Sequence, residues 1–229
     1  MELIATHGVT RSFPVADGED FFALKGIGIT VPRGKLTILR GRSGSGKTTL
    51  MNILGGLDYP TAGGVFFEGQ DIALLDEDAR RLLRRYSMGF VFQSVALVPI
   101  MTAYENVEFA LRMAEDMEQS DQRVRECLRL VGLEGRMSHL PQQLSGGEQQ
   151  RVAIARAIAH KPAVIFADEP TAELDTNSGL QVMKIFKQLI DQEKITIVMS
   201  THDIRLMELG DQVYELEDGE IIGSQTHEH

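Results

Sequence analysis

Residues 41–48, GRSGSGKT, match the spacing G-x-x-x-x-G-K-[ST] and lie between a buried-type strand, KLTILR, and a helix, KTTLMNILGGL. Residues of those types at that spacing bind phosphate. The glycines let successive backbone N–H groups curl around a β-phosphate. Lys47 brings a point charge to the β and γ oxygens, and the Thr48 hydroxyl can ligate Mg2+. Further along, LSGGEQQRVAIARA (144–157) places Ser145, Gly146 and Gly147 at the start of an amphipathic helix. Bare N–H groups and the helix dipole favour an anion there too. One small chain thus carries two helix starts suited to phosphate.

Two strand ends add further groups. AVIFADEP closes a buried run on Asp168 and Glu169, and open parallel sheets bind ligands at the carboxyl ends of their strands. Asp168 can hold Mg2+ there, directly or through water, and Glu169 can polarise an attacking water. The same pair also fits a plain polar strand cap; the glycine loop upstream favours chemistry. VMSTHD repeats the pattern with His202, either an ordinary histidine or a neutral imidazole that hydrogen-bonds a γ-phosphate. Gln93, closing MGFVFQ, can reach the metal or the water, and alone means nothing.

The elements that must position these groups alternate strand and helix. FFALKGIGITVPRG and GGVFFEGQDI predict short strands of an antiparallel piece. Residues 77–85 read as a helix and MGFVFQ as a strand. Between 94 and 143, TAYENVEFALRMAEDM and QRVRECLRLVGL carry helical periodicity, with Thr102 and Ser120 as N-caps. That predicts a helical insert of 94–143 in a core formed by 1–93 and 144–229. AVIFAD and ITIVMS return as parallel strands around the helix NSGLQVMKIFKQLIDQ, and VYELEDGEII forms a hairpin on Asp218 and Gly219. The closing THEH has metal-ligand letters without a framework and reads as a frayed tail.

With 229 residues the chain can build one sizeable domain with a real core. Its 33 acidic residues against 23 basic ones give a formal charge of −10, a poor start for binding duplex nucleic acid. The arginines 80, 81, 84 and 85 read as a solvated helix face. The single cysteine, Cys127, rules out an internal disulfide and reads as a buried helical thiol. Without a signal peptide or a run of apolar residues able to span a bilayer, the expectation is a cytosolic chain that docks on something already in the membrane.

In order, GRSGSGKT, Gln93, LSGGE, VIFADE, TAELD and His202 resemble the ATP-binding cassette ATPases, matching their Walker A, Q-loop, signature, Walker B, D-loop and H-loop. The resemblance covers essentially the whole chain. The wording MNILGGLDYPTAGGV, MGFVFQ and LVPIMTAYENVEFAL looks most like the subfamily of lipoprotein-releasing, macrolide-export and cell-division ATPases. It implies an α/β fold: a P-loop NTPase core with a mainly parallel sheet, an N-terminal antiparallel β subdomain and a helical insert.

It also implies hydrolysis of ATP with Mg2+, between two copies of the chain packed head to tail. Each ATP would rest on Walker A of one copy (Gly41, Arg42, Ser43, Gly44, Ser45, Gly46, Lys47, Thr48, Thr49) and on the signature of the other (Ser145, Gly146, Gly147, Glu148). Phe13 would stack on adenine, Thr48, Gln93 and Asp168 would hold the metal, and Asp175 would cross the interface. Lys47, Gln93, Glu169 and His202 would carry the catalysis. The segment with Val95, Leu97, Val98, Ile100 and Met101 would take a transmembrane permease subunit at the cytoplasmic face of the cell membrane, for export or lipoprotein extrusion. Regulating cell-wall enzymes through a membrane partner is the alternative output; acting on DNA or ribosomes is disfavoured. The chain departs from the usual pattern at Phe13 (more often Tyr), Arg42 (often Pro), Glu148 (often Gln) and Glu173 of the D-loop.

Overall fold

The computed structural model describes residues 1–16 and 18–227. Along the chain run β1 (Glu2–Phe13), β2 (Phe21–Ile27), β3 (Thr30–Pro32), β4 (Leu36–Arg40), α1 (Lys47–Leu54), β5 (Ala62–Phe67), β6 (Gln70–Asp71), α2 (Glu77–Ser87) and β7 (Met88–Val91). Then come α3 (Ala103–Met113), α4 (Ser120–Leu130), α5 (Gly146–Ile158), β8 (Val164–Asp168), α6 (Thr176–Glu193), β9 (Thr196–Thr201), β10 (Gln212–Glu217) and β11 (Glu220–Thr226). They form two compact units, Met1–Arg84 with Thr196–His229, and Arg85–Ile195. The second unit is wider than the helical segment 94–143, for it also holds β7, α5, β8 and α6.

In the first unit β4 lies between β9 and β10 in parallel register, and β11 returns antiparallel to β10. Leu36, Thr37, Ile38 and Leu39 are all buried, as a parallel strand covered on both faces requires. A second, antiparallel sheet places β1 against β2, β3 and β5, with β6 beside β5. β1 is a strand of 12 residues that the sequence reading missed. Its pairing slips between Val9 and Arg11, between Arg11 and Ser12, and between His7 and Thr10. Each bulge breaks the alternation of inward and outward residues that marks a strand.

The arginines of α2 correct another expectation. Arg80 is only 2% exposed. Its guanidinium lies 3.5 Å from the Tyr59 ring centroid, and Nη2 donates to Asp58 O at 2.7 Å. Arg84 donates to Gly56 O at 2.6 Å. These two clamp the turn after α1, Arg80 from a buried position and Arg84 from a half-buried one. Arg81, paired with Asp78, remains exposed as expected.

In the second unit β7 and β8 pair in parallel, and α5 packs so closely that a Cβ on Gly89 would strike Ala157 O. Thr102 caps α3 through a capping box with Glu105, as its spacing predicts. Ser120 does not cap α4: it is the first helical residue, and Gln119 takes the cap position with φ 59° and no side-chain bond. Arg123, nearly buried, closes the far end of α5 by donating to Ile158 O at 2.8 Å and Ala159 O at 3.0 Å. MGFVFQ is a strand only to Val91. The expected fraying does not begin at 226: Thr226 ends β11, and the His227 N–H donates to Asp211 O at 2.8 Å. Glu228 and His229 lie outside the described residues.

Cys127 is fully buried on α4, and that burial pushes its thiol pKa up to about 12. The thiolate is the reactive form, so the native protein should resist thiol reagents at neutral pH while urea-unfolded chain labels rapidly. Fast labelling of the native protein would contradict this packing.

Candidate functional site

β4 delivers the chain into the glycine loop. A Cβ on Gly41 would run into Leu216 O and the Ser45 side chain, so no other residue fits there. Gly46, with φ 103°, starts α1, and a Cβ on it would stand 2.7 Å from Ala23 O. The loop curls around its own lysine: Lys47 Nζ donates to Gly41 O at 2.9 Å and Arg42 O at 3.0 Å. Lys47 is 5% exposed, so this charge is held in place before any ligand arrives. A Cβ on Gly44 would meet nothing within 4 Å, which leaves the hollow of the loop open.

That hollow belongs to a cavity of about 600 Å³ lined by residues 40–45, His202, Ile204, Ile222 and the acidic strand end Glu215, Glu217 and Asp218. The structure therefore joins residues 41–45 with His202, which follows β9. Thr48 and Thr49 lie in the first turn of α1, outside the lining. Phe13 is likewise not among the lining residues; it is 37% exposed at the end of β1, with the Arg11 guanidinium 4.4 Å from its ring centroid.

The hairpin turn had no functional reading in the sequence. Gly219 N–H donates to Ser45 O at 3.2 Å and Gly219 O accepts from Lys25 N–H at 2.8 Å, so the turn supports the glycine loop from below. A Cβ on Gly219, as on Gly46, would crowd Ala23 O. The DG dipeptide signals a turn, but nothing local in the sequence says what it packs against.

The second unit gathers the remaining groups. Asp168 ends β8, and Glu169 after it has φ 44°, a left-handed conformation that costs a non-glycine residue about 1 kcal/mol.

At the start of α5, Ser145 Oγ accepts from Glu148 N–H at 3.3 Å while Glu148 Oε2 accepts from Ser145 N–H at 2.8 Å. The expectation that Ser145 presents a bare N–H is thereby corrected. The first-turn donors left for an anion are those of Gly146 and Gly147. The Ser145 backbone N–H holds the Glu148 carboxyl below the usual range, helped by the Ser145 hydroxyl and Arg136.

Asp175 caps α6 by accepting from the N–H groups of Asn177 (3.0 Å) and Ser178 (3.1 Å) and from Ser178 Oγ (2.6 Å). The Ser178 hydroxyl bond chiefly lowers its pKa. A Cβ on Gly147 would lie 2.8 Å from Ser178 Oγ, so the two helix starts are packed together. A cavity of about 270 Å³ beside them is lined by Gln93, Gly146, Gln149, Pro170 and Glu173 among others. Gln93 is thus brought to the signature.

Residues 95–101 are tied down from two sides. Asn106, 1% exposed, donates to Met101 O at 2.9 Å and accepts from Val98 N–H at 2.8 Å; Arg156 of α5 donates to Ala96 O at 2.6 Å. Ile100 is 85% exposed, whereas Val95, Leu97, Val98 and Met101 are half-buried.

The open curl around Lys47 fits a phosphate chain. The Thr48 hydroxyl, the Asp168 carboxylate and the Gln93 amide oxygen are hard oxygen donors suited to Mg2+. Among the described residues no cluster of three His, Cys, Asp or Glu forms a protein cage. Hard donors without such a cage suit an ion held largely through phosphate and water.

The sequence profile of the ABC transporter family matches residues 24–172. An uncharacterized ABC transporter ATP-binding protein of Methanocaldococcus jannaschii is 42% identical over 96% of this chain and 95% of its own length. A solved ATP-binding cassette, described as the dimeric structure of a post-hydrolysis state bound to ADP and phosphate, superposes with a TM-score of 0.89 at 39% identity, over 97% of this chain and 98% of that one. The macrolide export ATP-binding/permease protein MacB of Escherichia coli (strain K12) is 45% identical over 96% of this chain, which spans 34% of that protein's length.

The packing of the two helix starts can be tested on the glycines. Gly147→Ala must push α6 away and should lower stability by about 1–3 kcal/mol in urea unfolding. Gly146→Ala, where a Cβ meets nothing within 4 Å, should unfold at nearly the parent midpoint. Equal midpoints for the two variants would contradict that packing.

Proposed function

We propose that this chain, which belongs to the ABC transporter family and is an ATP-hydrolysing subunit of such a transporter, works as one of two identical halves that share their nucleotides. One observation carries the reading. The chain has two phosphate-competent surfaces in separate cavities, one lined by His202 and by residues 41–45 of the loop that curls around Lys47, the other lined by Gly146 at the start of α5. A single ATP has one γ-phosphate, and two copies give each surface a use. The dimeric form of the solved relative supports this.

In each site the 41–46 loop and Lys47 bind the β and γ phosphates, and Phe13 stacks its ring on the adenine. Thr48, Asp168 and Gln93 would hold Mg2+, which when bound would supply positive charge to offset that of the phosphates. Glu169 accepts a proton from the attacking water as its oxygen bonds to the γ-phosphorus and the bond to the bridging oxygen breaks. His202 donates a hydrogen bond to the γ-phosphate. Ser145, Gly146 and Gly147 of the second copy, with Glu148 holding their backbone in shape, face the same phosphate. Asp175 fixes the D-loop at the interface.

ATP then holds the two copies together, and loss of phosphate releases them. Residues 95–101 dock a transmembrane permease, and Ile100 supports this by exposing an apolar side chain on a tethered loop. Among the described residues no helix is long and apolar enough to cross a membrane, in keeping with a peripheral subunit at its cytoplasmic face. Export is favoured by the likeness to MacB.

Two variants separate the surfaces. Lys47→Ala should abolish nucleotide binding by the single chain. Ser145→Arg should retain nucleotide binding but lose hydrolysis by about a hundredfold or more, because it obstructs only the partner's site. Equal loss of binding in both variants, read by fluorescent nucleotide titration, would contradict the division of labour.

A further inference from the structure

Two charges of opposite sign stand on the rims of the two cavities. Arg42 is exposed beside the glycine loop, and among the described residues its guanidinium makes no hydrogen bond or ion pair. The neighbouring Arg40, by contrast, is paired with Glu215 at 3.1 Å. Glu173 is exposed beside Gly146, and its carboxylate likewise has no partner among the described residues. The nearby carboxylates of Glu148 and Asp175 are both used as helix caps. Arg42 and Glu173 are also two of the positions where this chain departs from the usual wording of its motifs.

An unpartnered surface charge is ordinary by itself. These two differ because each is anchored to a phosphate surface. The Arg42 carbonyl accepts from Lys47 Nζ at 3.0 Å and from Ser45 N–H at 3.2 Å, which fixes the backbone carrying its side chain. Glu173 lies two residues before Asp175, whose carboxylate is bonded to the Ser178 hydroxyl packed on Gly147. When a γ-phosphate brings Gly146 of one copy over the 41–46 loop of another, the cavity rims close on each other, with a cation on one and an anion on the other.

We infer that Arg42 of one copy forms an ion pair with Glu173 of the second copy in the closed dimer, and that this pair, made twice by symmetry, selects an identical partner. The occupant of this surface is a second copy of the chain, and the inference rests on the shared-site reading above. Charge complementarity sets register and discriminates against wrong partners. A cassette with a neutral residue at either position would leave one charge unpaired at the rim and bind more weakly. Because the pair forms at the edge of the interface, closure should weaken as salt rises.

The test is a double-mutant cycle on dimer dissociation, measured by sedimentation in saturating ATP with every chain carrying Glu169→Gln. Arg42→Gln and Glu173→Gln should each weaken the dimer by about tenfold, and the double variant should be no weaker than either single one. The exchanged pair, Arg42→Glu with Glu173→Arg, should return most of the lost affinity. Single effects that multiply in the double variant would overturn the pair while leaving the shared site intact. That result includes the case in which Arg42 serves the nucleotide directly. A Glu169→Gln parent that stays monomeric in ATP would overturn the shared site and the pair with it.

Discussion

The fixed curl of residues 41–46 around the Lys47 ammonium is the constraint on which the first unit depends. Peptide N–H groups can converge on a phosphate only if nothing collapses the loop, and three backbones meet to prevent that. Ala23 of β2, Gly46 at the start of α1 and Gly219 of the terminal hairpin approach so closely that a Cβ on either glycine would fall 2.7 Å from Ala23 O. β4, between two parallel neighbours, aims the chain at this junction, and β9 ends where His202 joins the same cavity. The antiparallel sheet and the C-terminal hairpin are therefore the bed of the loop, and Lys47 brings its charge already desolvated and bonded.

The second unit handles an anion by another device. Its donors are glycine N–H groups at the start of α5, where the Ser145–Glu148 box uses the neighbouring donors, while Asp175 caps the start of α6 beside it. Carboxylates held ionised so close to a γ-phosphate would repel it, but as caps their charge is spread over backbone dipoles. At the start of α5 Gly146 is exposed, while Gly147 is buried against Ser178. Such a surface has little affinity of its own for a nucleotide. It suits a partner's phosphate already held by a lysine.

Much of this was legible in the sequence because the chemistry is written in contiguous residues. GRSGSGKT names its own backbone shape, LSGGE names a helix start, and Asp218–Gly219 names a hairpin; the box between Ser145 and Glu148 that closes the Ser145 N–H emerges only in the structure. What the sequence hid is what depends on distant contacts. The bulges of β1 erase the period that would reveal a strand. Arg80 has the letters of a solvated face but is buried by a loop more than twenty residues before it. The role of Gly219 under Ser45, and the packing of Gly147 on Ser178, join segments that no local pattern connects. Gln93 reads as a metal-reaching side chain, and its place beside Gly146 comes from a contact that no local pattern shows.

The central claim is that one nucleotide is gripped by two chains, and a nucleotide count on an intact complex tests it most directly. Native mass spectrometry of the Glu169→Gln chain, with and without ATP, reads mass and occupancy together. The account predicts a single chain without ATP and, with it, a complex of two chains holding two nucleotides. A chain that binds ATP to saturation yet stays at the mass of one copy would contradict it.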